Sequence, residues 1–489
     1  MSARHTAMPK GWGNRLLPRR GRRPSVSRVT ISSGVDHLAS LRAAVGDDRV
    51  RTDPEVTAGF LRDSSDIASP GQPLAVVSPR STDEVQEVLR WATAHAVPVV
   101  PRGAGTGISC GVLAVDGGIV LSTDQLTTVR ELSVEDRLAV VEPGVLNAEL
   151  NALARPHGLM FAADPSSWET CSVGGNVATN AGGLRCVRYG TTRANVLGLE
   201  VVLADGALLR TGGRTVKRSA GYDLTQLLIG SEGTLGVVTA VTAKLTPLPP
   251  PQVTCLATFA SAAGAATAAA AVMRELRPTI VELMDSASLR AVDSYRGTGF
   301  DAAVGAVLLV QVDAGREGSA SEAAVEDLLS REGAVDIATA ADAAQADELL
   351  DIRRSAYPAL QALGTTLVED VAVPVSKLAE LLENIETISA ETGAHVITVA
   401  HAGDGNAHPI LLLGDDEQGR KATWDAADAI FRTAQRLGGT VSGEHGIGRL
   451  KKPWLVDELG PTGLAVHRAI KSSLDPHWLL NPGAVFDRA

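Results

Sequence analysis

"PVVPRGAGTGISCG" (98–111) runs from an apolar stretch into a loop with glycine at 103, 105, 107 and 111. Just upstream, "STDEVQEVLRWATAHA" (81–96) has helical apolar spacing, with Ser81 and Glu84 at the separation of a capping box. The apolar run "LAVVSP" (74–79) comes before it. Strand, helix, strand and then a glycine loop make a βαβ unit that ends in a backbone-rich turn. Such a turn presents N–H groups able to hold a pyrophosphate. The spacing is not the dinucleotide fingerprint, because Gly103 and Gly105 are followed by Gly107 and then by Ile108 where that pattern needs glycine. A nicotinamide dinucleotide site is therefore disfavoured.

Two more glycine blocks follow. "DPSSWETCSVGGNVATNAGGLRCVRYGTTRANVLGLEVVLADG" (164–206) ends in an alternating strand and an Asp205-Gly206 turn, and "IGSEGTLGVVTAVTAKL" (229–245) passes from glycines into a strand. Three such blocks ordered around strands point to a nucleotide-type cofactor. The plainer alternative is a glycine-rich β domain with tight turns.

The second half has a different signal. "VAHAGDGNAHPI" (399–410) and "SGEHGIG" (442–448) supply His401, His408, Glu444 and His445. Asp404-Gly405 favours a two-residue type I′ turn, which predicts a β-hairpin. Counting outward from that turn sets His401 directly opposite His408, with Cβ atoms about 5 Å apart on one face. Two imidazoles and a carboxylate form the ligand set of an open, catalytic metal site. If "SGEHGIG" is extended, alternation lets Glu444 face the metal while His445 faces a substrate. The alternative is a surface histidine pair and a solvated carboxylate.

Taken in order, "PRGAGTG", "DPSSWETCSVGGNVATNAGG", "YGTTRANVLGLEVVLADG", "GSEGTLGVVT", "HAGDGNAH", "SGEHGIG" and "LDPHWLLNPG" resemble the flavin-linked oxidases and dehydrogenases of the vanillyl-alcohol oxidase type. The resemblance spans residues 36 to 486. Within that family the chain is similar to the branch of D-lactate dehydrogenase, D-2-hydroxyglutarate dehydrogenase and the FAD subunit of glycolate oxidase. It implies an α+β fold class: a PCMH-type FAD-binding domain and an α+β substrate cap with an antiparallel sheet, of the FAD-linked oxidase C-terminal type. The implied reaction is FAD-dependent oxidation of a D-2-hydroxy acid, D-lactate or glycolate first, to the 2-oxo acid.

Carried over motif by motif, the resemblance has FAD held by Pro101, Arg102, Gly103, Ala104, Gly105, Thr106, Gly107 and Ser109 in the first block. From the second come Asp164, Ser166, Ser172, Gly174, Gly175, Asn176, Asn180 and Gly182, and from the third Glu232, Gly233, Gly236 and Val238, joined by Asn481. His401, His408 and Glu444 would hold a divalent metal, zinc ahead of manganese or iron. His445 would take the hydroxyl proton while hydride passes to flavin N5. Covalent members of the family attach flavin through a His near the position of Thr106 or a Cys near Cys171. Thr106 cannot form that bond, and "CSVGG" is the usual context of the noncovalent branch, so a dissociable FAD is expected.

"ELLDIRRSAYPAL" (348–360) resembles the family segment whose first arginine binds the substrate carboxylate, which assigns that role to Arg353. A guanidinium suits bidentate carboxylate binding. Tyr357, one helical turn on, shares its face, whereas Arg354 points about 100° away. The 2-hydroxyglutarate enzymes carry a lysine where Val368 stands, to hold the second carboxylate; its loss favours a monocarboxylate. The lysine common after the last Asn-Pro-Gly is replaced by Ala484.

A length of 489 residues predicts two or three domains, and 45% apolar content is ample for their cores. "LTPLPPPQ" (245–252) reads as a connector. The expected division is a basic leader (1–35), the FAD domain (36–248), the cap (249–470) and a C-terminal segment (471–489) that returns to the FAD domain. The leader carries eight Lys and Arg and no acid before Asp36, and reads as a disordered tail or a mis-assigned start. A net charge of −11 gives no support to nucleic-acid binding. Four scattered cysteines fit a reducing compartment and make no iron–sulfur run. Electrons must then leave to an external acceptor: a cytochrome, a quinone or an electron-transfer protein. No apolar stretch approaches a membrane span. A cytoplasmic homodimer is expected, with peripheral membrane contact through the leader left open. The rival readings are a metal-dependent hydrolase, a flavin-binding electron-transfer subunit, and an alkyl-dihydroxyacetone-phosphate synthase-like flavoenzyme.

Overall fold

In the computed structural model, which describes residues 34–65, 67–314 and 321–488, the first glycine loop grows from the expected strand, helix and strand. Ser81 caps helix Thr82–His95 by accepting the N–H of Glu84 at 3.1 Å, a contribution of about 1 kcal/mol. The Glu84 carboxylate answers one residue earlier than a capping box requires, accepting the N–H of Arg80 at 2.7 Å. Val85, Val88, Leu89 and Ala92 form the buried stripe of this helix. Strands Ala75–Val77 and Val99–Arg102 do not touch each other, because Ile119–Ser122 lies between them and is parallel to both. With Val50–Arg51 they make a four-stranded sheet. A second sheet of five antiparallel strands contains Val196–Val202 and Val237–Lys244, which flank the later glycine blocks.

The second half forms an eight-stranded antiparallel sheet, the α+β architecture expected of the cap. In the order of the sheet, Ala306–Asp313, Pro278–Asp285, Val396–His401 and Asn406–Leu412 lie next to one another. Helices cover both faces, so the strands are apolar on both sides. On one face Val281, Leu283, Val310 and Ala400 pack with Trp424, Phe431 and Trp454. On the other, Ile280, Met284, Leu309, Ile397, Val399 and Ile410 meet Leu289, Val292 and Leu350 of helices Ser286–Arg296 and Ala343–Arg354. Period-2 alternation decides which polar residues join the second face: Glu282 follows Ile280 and Met284, and His401 follows Val399.

The end of the chain lies on the first sheet. Leu480 bridges Val99 in parallel, and the N–H of Asn481 reaches the carbonyl of Val99 at 2.7 Å. Residues 1–33 of the basic leader lie outside the described residues, and helix Gly34–Val45 begins at its last two.

Candidate active site

The hairpin of the sequence reading forms, but its turn is longer than two residues. His401 pairs with Asn406, and His408 pairs with Val399, so residues 402–405 make a four-residue turn. The two histidines are therefore diagonal neighbours on one face instead of direct opposites. Diagonal positions are within reach of aromatic side chains, and the ring centroids are 5.0 Å apart. The segment 442–448 also differs from expectation: it is a run of bends and turns with no strand. Glu444 and His445 owe their directions to Asp370, whose Oδ2 accepts the N–H of Glu444 at 3.0 Å and of His445 at 2.9 Å.

Glu444 Oε1 stands 3.3 Å from His401 Nε2 and 3.4 Å from His408 Nε2. Three ligand-type atoms of these residues lie within 4.8 Å of one another. His401 is backed by a carboxylate through its other nitrogen, with Nδ1 2.6 Å from Glu282 Oε1; His408 Nδ1 lies 3.7 Å from Asp370 Oδ1 and has no hydrogen-bond partner. Carboxylate backing of this kind orients imidazoles that bind metals. Burial disfavours a charge on His401, but Glu282 and Glu444 on either side outweigh it and hold its pKa well above the usual value without a metal. Burial likewise opposes ionisation of Asp370 and Glu444, and the neighbouring cations, Lys451 for Asp370 and His401 for Glu444, keep both ionised. His445 stacks on His408 with centroids 4.8 Å apart. Burial dominates there and pushes its pKa down to about 4, so the ring is neutral; its Nδ1 has no hydrogen-bond partner.

Arg353 projects from helix Ala343–Arg354 onto the same face, where its Nη2 pairs with Glu282 Oε2 at 2.9 Å and its Nε has no hydrogen-bond partner. Arg354 pairs with Asp351 at the surface. Glu282 and Asp370 were not singled out in the sequence. The available signal was an acid inside the apolar strand "TIVELMD" and another inside "VEDVAVP".

These side chains form one wall of a cleft of about 460 Å³. Arg353, Tyr357, His401, His408, Glu444 and His445 line it together with Val368, Val399 and Ile410. The facing wall is the glycine blocks: Pro101 to Gly107, Ser109, Ser166, Ser172, Gly174, Gly175, Asn176, Gly182, Glu232, Gly233, Gly236 and Val238. Three expected cofactor residues, Asp164, Asn180 and Asn481, do not line this cleft. Asp164 is partly buried and pairs with Arg185 at 3.0 Å; Asn180 ends helix Val173–Thr179 and accepts from Thr191 and from the N–H of Arg193; Asn481 donates to the carbonyls of Gly111 and Glu232. Their hydrogen bonds run to backbone groups, to Arg185 and to Thr191, while Asn481 Oδ1 keeps no partner.

The chain matches the FAD binding domain family over residues 73–212 and the "FAD linked oxidases, C-terminal domain" family over residues 248–485. It is 39% identical to glycolate oxidase subunit GlcD of Bacillus subtilis (strain 168), across 85% of this chain and 89% of that protein. The protein belongs to the FAD-linked oxidases. To the D-lactate dehydrogenase of Archaeoglobus fulgidus this FAD-linked oxidoreductase is 37% identical, over 84% of its own length and 90% of the relative's. Its fold is shared by p-cresol methylhydroxylase, with a TM-score of 0.76 at 17% identity, covering 93% of this chain and 97% of that one.

The cleft fits FAD. Its loops come so close that a Cβ on Gly103 would stand 2.7 Å from Ser172 Oγ, so backbone lines the wall where a side chain would fill it. Asn176, also on that wall, keeps a buried Nδ2 without a partner. Thr106 lines the cleft, whereas Cys171 is buried outside its lining.

Proposed function

We propose that this FAD-linked oxidoreductase oxidises a D-2-hydroxy monocarboxylate, D-lactate before glycolate, to the 2-oxo acid. The observation that carries the reading is convergence: a guanidinium, a His/His/Glu cluster and a neutral buried histidine share one wall of the cleft whose other wall is the glycine loops.

Arg353 binds the carboxylate, and Glu282 fixes its direction. Tyr357 stands on the same wall and can donate a second hydrogen bond. The carbon chain beyond C2 meets Val368, Val399 and Ile410, which suits a methyl group better than a second carboxylate. Among the described residues of the cleft the only Arg or Lys side chains are Arg102 and Arg353, and Arg102 is committed to the carbonyls of Gly59 and Arg62. That disfavours D-2-hydroxyglutarate.

His401, His408 and Glu444 would hold a divalent ion, zinc ahead of manganese or iron. It would act as a Lewis acid on the substrate hydroxyl, as such ions lower the pKa of water from 15.7 to about 7. His445, kept neutral by burial, has a free lone pair and takes the hydroxyl proton. Noncovalently bound FAD supplies the acceptor for the hydride on carbon 2. The four cysteines are free, and no helix among the described residues is long and apolar enough to cross a membrane. The cysteines make no iron–sulfur run, and the electrons go on to an external acceptor.

The test is anaerobic mixing of the yellow protein with D-lactate, L-lactate, glycolate and D-2-hydroxyglutarate, following flavin bleaching with and without chelator. Fast, chelator-sensitive bleaching by D-lactate is expected. Bleaching by D-2-hydroxyglutarate alone would move the assignment to the dicarboxylate, and no bleaching by any of the four would refute it.

A further inference from the structure

Glu232 stands in the turn of "GSEGTLG", on the glycine-loop side of the cleft, and is buried. The resemblance to flavoenzymes gives it to the cofactor, but its carboxylate is engaged with the segment 442–448. Oε1 accepts the N–H of Ile447 at 2.7 Å and Oε2 accepts the N–H of Gly448 at 2.8 Å. Both amides belong to the loop that carries Glu444 and His445. The start of the same loop is held from the other side by Asp370, which takes the N–H groups of Glu444 and His445 and the hydroxyl of Ser442. Ser109, a second residue of the glycine-loop side, places its hydroxyl 2.9 Å from the carbonyl of His445 and 3.2 Å from that of Gly446. The approach is close: a Cβ on Gly446, where φ is +80°, would stand 2.9 Å from Glu232 Oε1.

We infer that Glu232 is a positioning residue, whose carboxylate clamps the loop of Glu444 and His445 against the flavin side of the cleft. The inference rests on the proposed roles of those two residues. A loop without regular structure has no ladder of its own to fix its side chains; two buried carboxylates from separate parts of the chain, Glu232 and Asp370, replace it. A carboxylate suits the task because both of its oxygens accept, so adjacent N–H groups can be bound at once. Glutamine at 232 would offer one oxygen and one NH₂, and the NH₂ would oppose an amide that also donates.

The experiment is Glu232→Gln in the full-length, flavin-loaded protein, with three readouts. Hydrogen exchange of the peptide covering 442–451 should quicken by at least about tenfold. The flavin-to-protein absorbance ratio should stay at the wild-type value. With whichever 2-hydroxy acid bleaches the wild type, kcat should fall on the order of 10- to 100-fold with little change in KM, because Arg353 lies on a different element. Exchange at the wild-type rate overturns the inference. So does loss of flavin, which would return the carboxylate to the cofactor, and so does an unchanged kcat. If Glu232→Gln does not fold, Ser109→Ala removes the neighbouring tether; unchanged exchange in that variant overturns the clamp. Exchange is measured without substrate, so a wild type that no 2-hydroxy acid reduces would refute the proposed reaction and leave this test intact.

Discussion

Glu282 and His401 are direct cross-strand partners, and their side chains meet at 2.6 Å between Oε1 and Nδ1. The other oxygen of the same carboxylate holds Arg353 at 2.9 Å. One buried acid thus orients both a metal-ligand candidate and the proposed carboxylate anchor. Glu282→Gln keeps the shape and removes the charge. We expect metal affinity to fall about 10- to 100-fold, with a raised KM for substrate. Chelator competition and steady-state kinetics on one preparation check both. Wild-type metal affinity would remove Glu282 from the ligand support.

His445→Asn should slow flavin reduction by about 10²- to 10⁴-fold, the usual worth of a positioned base, and leave flavin and metal content unchanged. The pH profile gives a second check. A histidine with its pKa lowered to about 4 stays neutral, with its lone pair free, across neutral pH. The wild-type rate should show no acid limb near 6.5 and should lose its His445 contribution only as pH falls through about 4. Stopped-flow reduction between pH 4 and 8 measures this; an inflection near 6.5 that His445→Asn abolishes would contradict the assignment.

Val368 lines the cleft, at the position where the resemblance to the dicarboxylate enzymes implies a lysine in those enzymes. Val368→Lys should raise kcat/KM for D-2-hydroxyglutarate relative to D-lactate by about tenfold or more, since a charge-assisted pair contributes about 1.5–3 kcal/mol. Competition between the two acids for flavin reduction reads the ratio. An unchanged ratio would mean that the carbon chain leaves C2 in another direction.

Glu369 is fully buried, neither of its oxygens has a partner, and burial pushes its pKa up to about 8, with Lys451 only partly opposing. The unfolded value is 4.5. Its contribution to stability is therefore fully present below pH 4.5 and is lost as pH rises to about 8, because only the unfolded chain ionises freely in between. Glu369→Gln should match the wild type near pH 4.5 and exceed it at pH 8, by on the order of a few kcal/mol. Urea unfolding at the two pH values checks the sign; equal stability at pH 8 would rule it out.

Local chemistry made much of this protein legible. Ser81 and Glu84 announced a helix start, and turn glycines marked the loops of the cleft. His401, His408, Glu444 and His445 stood in two short segments of sequence that the fold brings together. Those signals are local because turn type and helix capping depend on a few neighbouring residues. The sequence misled where a local signal had two outcomes: Asp404-Gly405 favours a two-residue turn, but pairing of His401 with Asn406 set a longer one.

Tertiary structure decided what depends on strand order. Glu282 reaches His401 because strands far apart in the chain lie side by side, with a register that points both residues to the same face. Asp370 and Glu232 shape the loop of Glu444 and His445 from separate parts of the fold, which no spacing in the sequence expresses. Asp164, Asn180 and Asn481 belong to the cofactor motifs in sequence, yet in the fold they make hydrogen bonds to Arg185, Thr191 and backbone groups and do not line the cleft. The residue types that can do the chemistry were written in the sequence; which of them turn toward one another was settled by strand pairing across the fold and the satisfaction of buried polar groups.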